Sequence, residues 1–359
     1  MTVTNRDGIT GAIGETPLVR LSRLAPESLA AIHGKCEFMN PGGSVKDRIA
    51  AALVDDAERR GALGPGGTIV EATAGNTGMA LAMIAARRGY RLVAVMTTKM
   101  STDKVELLRA FGAEVVICPY EVPPTDGRHF IRTAERLARE IPGAWHADQF
   151  GNPVNAAAHF EWTGPEIWRQ TGGSVDVLVA GLGTGGTLTG VGRFLKMKKP
   201  GLRIVLADPV GSIHADLLDG AAPDPRPYAV EGIGGDFVPG NGDLDLVDHA
   251  VRVPDAVSVA TAYRLFRAEG IFAGASSGCI VAAALAAARQ EWAAGKTIVC
   301  ILPDGGRSYL STIYSSAWCR AKGFDPDLRL PRLEVSECRR SLEDVHPRSL
   351  GGHASLAGL

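Results

Sequence analysis

The sequence predicts an α/β protein of two lobes, each a mostly parallel twisted sheet covered by helices. Three observations carry this prediction. Runs of β-branched residues recur without polar alternation, as in VDVLVA at 175–180 and TIVCIL at 297–302. Between them lie Ala-, Leu- and Arg-rich amphipathic segments. Gly-rich turns join the two kinds. Strands with no polar face are those buried on both sides, the condition of a parallel sheet between helix layers.

In chain order, 68–71 (TIVE) reads as a strand end, 78–88 as a helix and 90–96 (YRLVAVM) as the next strand. Residues 104–111 read as a helix and 113–118 (AEVVIC) as a strand. The theme returns with a strand at 175–180, a helix at 188–198 and a strand at 203–207 (RIVLA). Segments 258–268 and 278–294 read as helices, and 297–302 as the closing strand. The two halves meet near 149–155, where DQFGNPVN interrupts the pattern. From about Leu330 the chain mixes Pro, Gly, Ser and charges without steady periodicity, and reads as a loosely docked or disordered tail.

Composition narrows the function classes. A chain of 359 residues with 45 % hydrophobic content can build two sizeable cores. The 38 Lys+Arg against 39 Asp+Glu give a net charge of −1, which offers nucleic acid or an acidic membrane no electrostatic purchase. The six cysteines (36, 118, 279, 300, 319, 338) form no C-x-x-C pair, which speaks against a zinc site or disulfide scaffold and for a reducing compartment. The opening MTVTNRDGITGAIGETP has neither a basic n-region nor an apolar h-region. No apolar run approaches the roughly 20 residues of a membrane helix. The expectation is a soluble, cytoplasmic protein.

Four segments have the make-up of ligand sites. GLGTGGTLTG at 181–190 follows a strand and opens a helix, where glycines admit a ligand close to the backbone and free N–H groups attract a phosphate. Gly181, Gly183 and Gly186 also match a dinucleotide fingerprint, with Asp208 at the end of the next strand, so the segment alone suits a nicotinamide oxidoreductase. TAGNTG at 73–78 opens another helix after a strand, and its small residues and hydroxyls suit a carboxylate. NPGGSVKDR at 40–48 makes a turn with Ser44 as a cap and Lys46 in the first helical turn. A lysine there is ordinarily a solvated surface charge. Beside a positive helix end it can instead have a lowered pKa and act as a nucleophile or Schiff-base amine. GASSG at 274–278 is a fourth helix entrance. Pyridoxal phosphate uses all four together: a lysine for its aldehyde, a Gly/Thr cradle for its phosphate, a partner for its ring nitrogen and a nest for the amino-acid carboxylate.

With these motifs the chain resembles the fold-type II (tryptophan synthase β-like) pyridoxal-phosphate enzymes, in the cysteine synthase and cystathionine β-synthase group. The resemblance runs through GETPLVRL, NPGGSVKDR, EATAGNTG, KMSTDKVELLRAFGAEVV, DQFGNP, GLGTGGTLTG, EGIGGDF, GASSG and ILPDGGRSYLS. Several of these look closer to the cystathionine β-synthase branch. The resemblance implies that Lys46 carries the cofactor as a Schiff base and that Asn76 bonds its 3′ oxygen. Gly183, Thr184, Gly185, Gly186 and Thr187 would hold the phosphate, and Ser276 would face the ring nitrogen. Thr73, Ala74, Gly75, Asn76 and Thr77, with Gln149, would clamp the substrate carboxylate, and Gly232 would line the entrance. It implies a large lobe of 1–42 plus 152–325, a smaller lobe of 43–151 and a C-terminal tail of 326–359.

The implied reaction is β-replacement on serine, O-acetylserine or O-phosphoserine by a thiol or sulfide. An amine nucleophile, as in diaminopropionate-type metabolism, is the alternative; a nicotinamide oxidoreductase is a remote one that leaves Lys46, TAGNTG and GASSG without roles. The resemblance also implies a homodimer acting on small amino acids. The stretch before Gly14 is too short for a haem-binding extension, so no haem is expected. The stretch after Phe324 is too short for paired regulatory domains. The family's carboxylate loop usually carries Ser where this chain has Ala74.

Overall fold

A computed structural model describes residues 8–338 other than 27, 29, 74, 99, 101 and 124. The chain opens with β1 (Leu18–Arg20), β2 (Ala31–Cys36) and α1 (Lys46–Arg59). It continues through β3 (Thr68–Ala72), α2 (Asn76–Arg88), β4 (Arg91–Thr97), α3 (Thr102–Ala110), β5 (Glu114–Cys118), α4 (Phe130–Glu140) and β6 (Ala144–His146). Next, α5 (Val154–Ala158) passes through a π-helical stretch, His159–Thr163, into α6 (Gly164–Gln170). Then follow β7 (Val175–Ala180), α7 (Gly186–Lys198), β8 (Arg203–Pro209), α8 (His214–Asp219) and β9 (His249–Val253). The last elements are α9 (Asp255–Glu269), α10 (Ala275–Ala287), β10 (Thr297–Leu302), α11 (Ser316–Lys322) and β11 (Ser336–Glu337).

Among the described residues the strands form two sheets. The smaller, in order β5-β4-β3-β6, is parallel throughout. The larger, in order β1-β2-β10-β7-β8-β9-β11, is parallel at its centre, with antiparallel strands β1 and β11 on its two edges. The predicted fold class of two mostly parallel, helix-covered sheets is the one observed. The apolar runs explain it residue by residue, because successive side chains on a strand point to opposite faces. In β3, Ile69 joins the core under α1 and α2 while Val70 joins the one under α4. In β7, Val177 and Val179 pack with α9 and α10, whereas Leu178 and Ala180 pack with α6 and α7.

All strands of the smaller sheet lie within 43–151, while those of the larger lie at 18–36 and 175–337. The seam is not a clean cut, since Ala158 of α5 packs into the smaller sheet's core. The segment expected to be helical to 294 instead leaves α10 after Ala287 and makes a short 3-10 turn, Glu291–Ala293, before β10. None of the described helices is long and apolar enough to cross a membrane. The six cysteines are all free.

The start of the tail, as far as Cys338, is more firmly docked than expected. Leu328, Leu330, Leu333 and Val335 pack against the core beneath α9 and α10. β11 pairs with β9, and the Cys338 amide donates to the Asp248 carbonyl at 3.1 Å. Sparse apolar residues without periodicity are enough here, because a neighbouring sheet edge and an apolar groove supply the order. Residues 339–359 lie outside the described residues. Deleting everything after Leu330 should therefore destabilise the fold, by about 1–3 kcal/mol for the partial burial of Leu333 and Val335. A urea midpoint unchanged by the truncation would show that this docking adds nothing.

Candidate active site

The site forms where parallel strands end, the usual place for ligands in open α/β sheets. Ser44 bridges to Asp304, just past β10, and the Val45 amide donates to the Pro303 carbonyl at 2.8 Å. This pairing sets Lys46, the first residue of α1, beside the end of β10. Lys46 lines a pocket with Gly181, Gly183, Thr184, Gly185, Thr187, Gly232 and Ile233. Burial lowers its amine to about 8, against the opposing pull of the Asp304 carboxylate. The surface-charge reading of Lys46 is thereby set aside.

The turn from β7 into α7 is stripped of side chains for steric reasons. A Cβ on Gly183 would lie 2.2 Å from the Gly232 carbonyl oxygen, and one on Gly186 would lie 1.9 Å from Asn155 Oδ1. Gly185 has φ +86°, a backbone state that disfavours any side chain. Thr184 Oγ1 accepts from Asn155 Nδ2 at 3.0 Å, and Thr187 Oγ1 lies 3.1 Å from His159 Nε2. Burial, with the charges of Arg48 and Lys46, holds His159 well below the usual imidazole range, so this neutral ring orients Thr187 without adding charge. Its other nitrogen is 2.9 Å from Thr163 Oγ1. Bare backbone, two hydroxyls and a helix N-terminus make a cradle for a phosphate.

The turn from β3 into α2 makes a second nest. Thr73 Oγ1 accepts the amides of Gly75 and Gly78, each at 3.0 Å, which shapes the loop. Thr77 Oγ1 donates to Gln149 Oε1 at 2.6 Å, and Gln149 Nε2 donates to the Ala72 carbonyl at 2.7 Å. The amides that open α2 have no intrahelical partner and favour an anion. Ala74 lies outside the described residues. Ser276 is buried in the first turn of α10, four residues before Ile280, which lines the pocket; the two share a helix face. Gly232 has φ +84°.

Four residues given no role in the sequence complete the site. Asp304 Oδ2 accepts from Asn76 Nδ2 at 2.7 Å and from Tyr309 Oη at 2.5 Å. Its Oδ1 presses on Gly274, where a Cβ would come within 2.3 Å, and has no hydrogen-bond partner among the described residues. Asp304 thus touches the lysine segment, the carboxylate nest and the α10 entrance at once. Burial raises its carboxyl, although Tyr309, Asn76 and Lys104 oppose the rise. Lys104 of α3 forms an ion pair with Glu231 of the opposite lobe and sits 4.6 Å over the Tyr309 ring. The signal for Asp304 was present in LPDGGRSY, an acid directly after a buried strand. No local signal marks the Lys104–Glu231 pair.

Residues 9–304 match the family described as "Pyridoxal-phosphate dependent enzyme". The chain belongs to the pyridoxal-phosphate-dependent enzyme family. It is 45 % identical over 319 residues to the cystathionine beta-synthase of Apis mellifera, covering 88 % of this chain and 63 % of that one. It is 46 % identical over 314 residues to that of Rattus norvegicus, covering 87 % of this chain and 56 % of the relative. The chain therefore spans roughly six-tenths of the length of these relatives. The crystal structure of an O-ureido-L-serine synthase superposes with a TM-score of 0.79 at 41 % identity, over 87 % of this chain and 98 % of that one. Pyridoxal phosphate suits the pocket on its own geometry, since a low-pKa lysine and a side-chain-free turn at a helix N-terminus line one space, with the α2 nest tied to the lysine segment through Asp304.

Proposed function

We propose that this pyridoxal-phosphate enzyme catalyses β-replacement on serine or an O-activated serine, with a thiol or sulfide as the incoming nucleophile. The observation that carries the reading is that Lys46 and the glycine cradle line one pocket, while Asp304 ties the α2 nest to the lysine segment through Asn76 and Ser44. Similarity to cystathionine beta-synthases supports it. When bound, pyridoxal phosphate supplies the electron-withdrawing system that acidifies the α-hydrogen of an amino acid.

The chain's own residues do the rest. Lys46 would hold the cofactor through its aldehyde, and its amine, near 8 and so partly neutral at working pH, suits a general base for the substrate's α-proton. Gly183 to Thr187 take the phosphate, and Asn76 the 3′ oxygen while its Nδ2 stays on Asp304. Ser276 offers the ring nitrogen a neutral hydroxyl. A hydroxyl would not protonate that nitrogen as a carboxylic acid would, so Ser276 would leave the bound ring a weaker electron sink, which would suit β-replacement better than transamination. The Thr73–Thr77 loop and Gln149 hold the substrate carboxylate, and Gly232 borders the entrance. We further propose a cytoplasmic homodimer serving cysteine-type amino-acid biosynthesis, a setting that six free thiols suit. Sedimentation as a fully active monomer would refute the dimer.

A second reading replaces the thiol by a non-thiol nucleophile such as an amine. The structural relative favours it, because its named product is a serine bearing a ureido group on oxygen. Screening serine, O-acetylserine and O-phosphoserine as donors, then sulfide, homocysteine and amines as acceptors, separates the two. Failure of every donor to perturb the cofactor's visible band would sink both.

Ala74 supplies a further prediction. A serine there would add a hydroxyl to the carboxylate nest, and a hydrogen bond to a charged group contributes about 1.5–3 kcal/mol. Its absence weakens capture of a simple donor by about 10- to 100-fold unless the donor brings contacts of its own. Ala74→Ser should therefore raise kcat/KM for free serine more than for the native, activated donor. If free serine is already the best donor and the substitution changes nothing, position 74 says nothing about substrate.

A further inference from the structure

Asp208, the acid that completed the dinucleotide pattern, has a different neighbourhood in the fold. It sits near the end of β8, close to Ser212 and to His214, the first residue of α8, and all three are buried. One Asp208 oxygen accepts the Ala215 amide at 2.9 Å, and the other lies 3.5 Å from His214 Nδ1. Ser212 Oγ is 3.2 Å from the same nitrogen. None of the three lines the pocket.

Their outward side meets the loop that does. His214 Nε2 lies 3.0 Å from the Phe237 carbonyl; a carbonyl only accepts, so Nε2 carries the hydrogen and donates it. Ser212 Oγ accepts the Gly235 amide at 3.1 Å, and the Ile213 amide donates to the Gly235 carbonyl at 3.0 Å. The same loop carries Gly232 and Ile233 into the pocket and Glu231 to Lys104. With Gly232 and Gly234 both at positive φ, this stretch has much conformational entropy to lose and needs a shelf to hold it. The fit is close, for a Cβ on Gly234 would lie 2.7 Å from the Tyr228 hydroxyl and 3.1 Å from Ser212 Cβ.

We propose that His214, with Ser212 beside it and Asp208 behind it, is a positioning residue that holds the 231–237 loop in place as a wall of the substrate pocket. The proposal rests on the β-replacement reading for its kinetic consequence, though not for its structural one. The first test is amide hydrogen exchange on the holoenzyme, read over the 231–237 peptide. His214→Leu should speed exchange there by about tenfold or more, as expected for the loss of a hydrogen bond to a flexible loop. His214→Gln, which keeps an N–H donor, should stay within about twofold of the native rate. Ser212→Ala gives an independent arm, with faster exchange at Gly235, if the leucine variant does not fold. Unchanged exchange in both His214→Leu and Ser212→Ala overturns the proposal. Equal acceleration in His214→Leu and His214→Gln overturns it too, because His214 would then act by packing alone.

The kinetic arm asks whether the wall matters to substrate. In His214→Leu the KM for the amino-acid donor should rise about tenfold while kcat and the cofactor's absorption band stay nearly constant, with rescue in His214→Gln. A changed exchange rate with an unchanged KM overturns the link to substrate. The exchange comparison decides the loop's support even if the native enzyme turns over no serine-type donor, a result that would sink the assigned reaction instead.

Discussion

With Lys46 as the proposed base and tether, Lys46→Ala should lose turnover by at least about 10²- to 10⁴-fold, the usual contribution of a positioned general base, and should lose the cofactor's covalent attachment as well. The fold should survive, because the Lys46 side chain lines the pocket while its neighbours Val45 and Ile49 fill the core. Two readouts check this: a circular dichroism spectrum and melting temperature close to native, and a visible cofactor band lost on dialysis. A variant that keeps both band and turnover would place the tether on another lysine. Lys35 and Lys104 are poor substitutes, since Lys35 is committed to Glu166, Gln170 and the Thr16 carbonyl, and Lys104 to Glu231.

The second large effect is on stability and comes from two residues beyond Lys46. Arg48 is fully buried and pairs with two carboxylates at once. Its Nε and Nη2 reach Glu37 at 2.7 and 2.8 Å, while Nη1 and Nη2 reach Glu166, each at 2.7 Å. Lys35 adds a contact to Glu166 at 2.7 Å, so two cations face two carboxylates. The cluster ties α1 to β2, to the turn after β2 and to α6, and so joins the lysine-bearing helix to the larger sheet. Arg48→Ala should cost about 3–5 kcal/mol, because it leaves both carboxylates buried with too little positive charge. A denaturation midpoint within experimental error of native would refute this.

The cluster also predicts the direction of acid sensitivity. Burial pushes the Glu166 carboxyl up, but hydrogen bonds and charge from Arg48 and Lys35 outweigh burial and hold it at about 2, below the 4.5 of an unperturbed glutamate. A depressed carboxyl stabilises the fold fully above its unfolded pKa and loses that contribution as pH falls through its folded one. The Glu166 contribution is therefore intact at neutral pH and disappears between about 4.5 and 2. In Arg48→Ala the carboxyl rises toward its unfolded value, so the plateau at neutral pH is lower but the fall in stability between about pH 4.5 and 2, read from urea midpoints against pH, should be shallower than in the native protein.

How much could be read from sequence depended on how local each feature is. The runs at 68–71, 175–180, 203–207 and 297–302 are strands because a strand buried on both faces leaves an uninterrupted apolar signature in the chain. The same argument fails for β1, β9 and β11, which include charged or polar positions at or near the edge of the sheet. α4 and β6 are also absent from the expected elements, although FIRTAERLARE carries a regular apolar spacing. The start of the tail, to Cys338, is more ordered than expected. Its order comes from the groove beside α9 and α10 and the free edge of β9, neither of which its own residues reveal.

The site divides in the same way. By itself the sequence determined the two lobes, the family resemblance and the residues that local chemistry marks: Lys46 after a Gly-Gly turn, bare glycines from 181 to 186, and hydroxyls around 73–77. Each is a short segment whose composition makes sense only for backbone approaching a ligand. Only the tertiary structure decided what completes them. The bond from Asn76 to Asp304 spans 228 residues and the pair of Lys104 with Glu231 spans 127. It also decided that Asp208 faces His214 rather than a ribose. Such partners are set by which strand ends and helix starts the two sheets bring together. A pairing energy between distant side chains leaves no periodicity in the chain, so nothing local announces it.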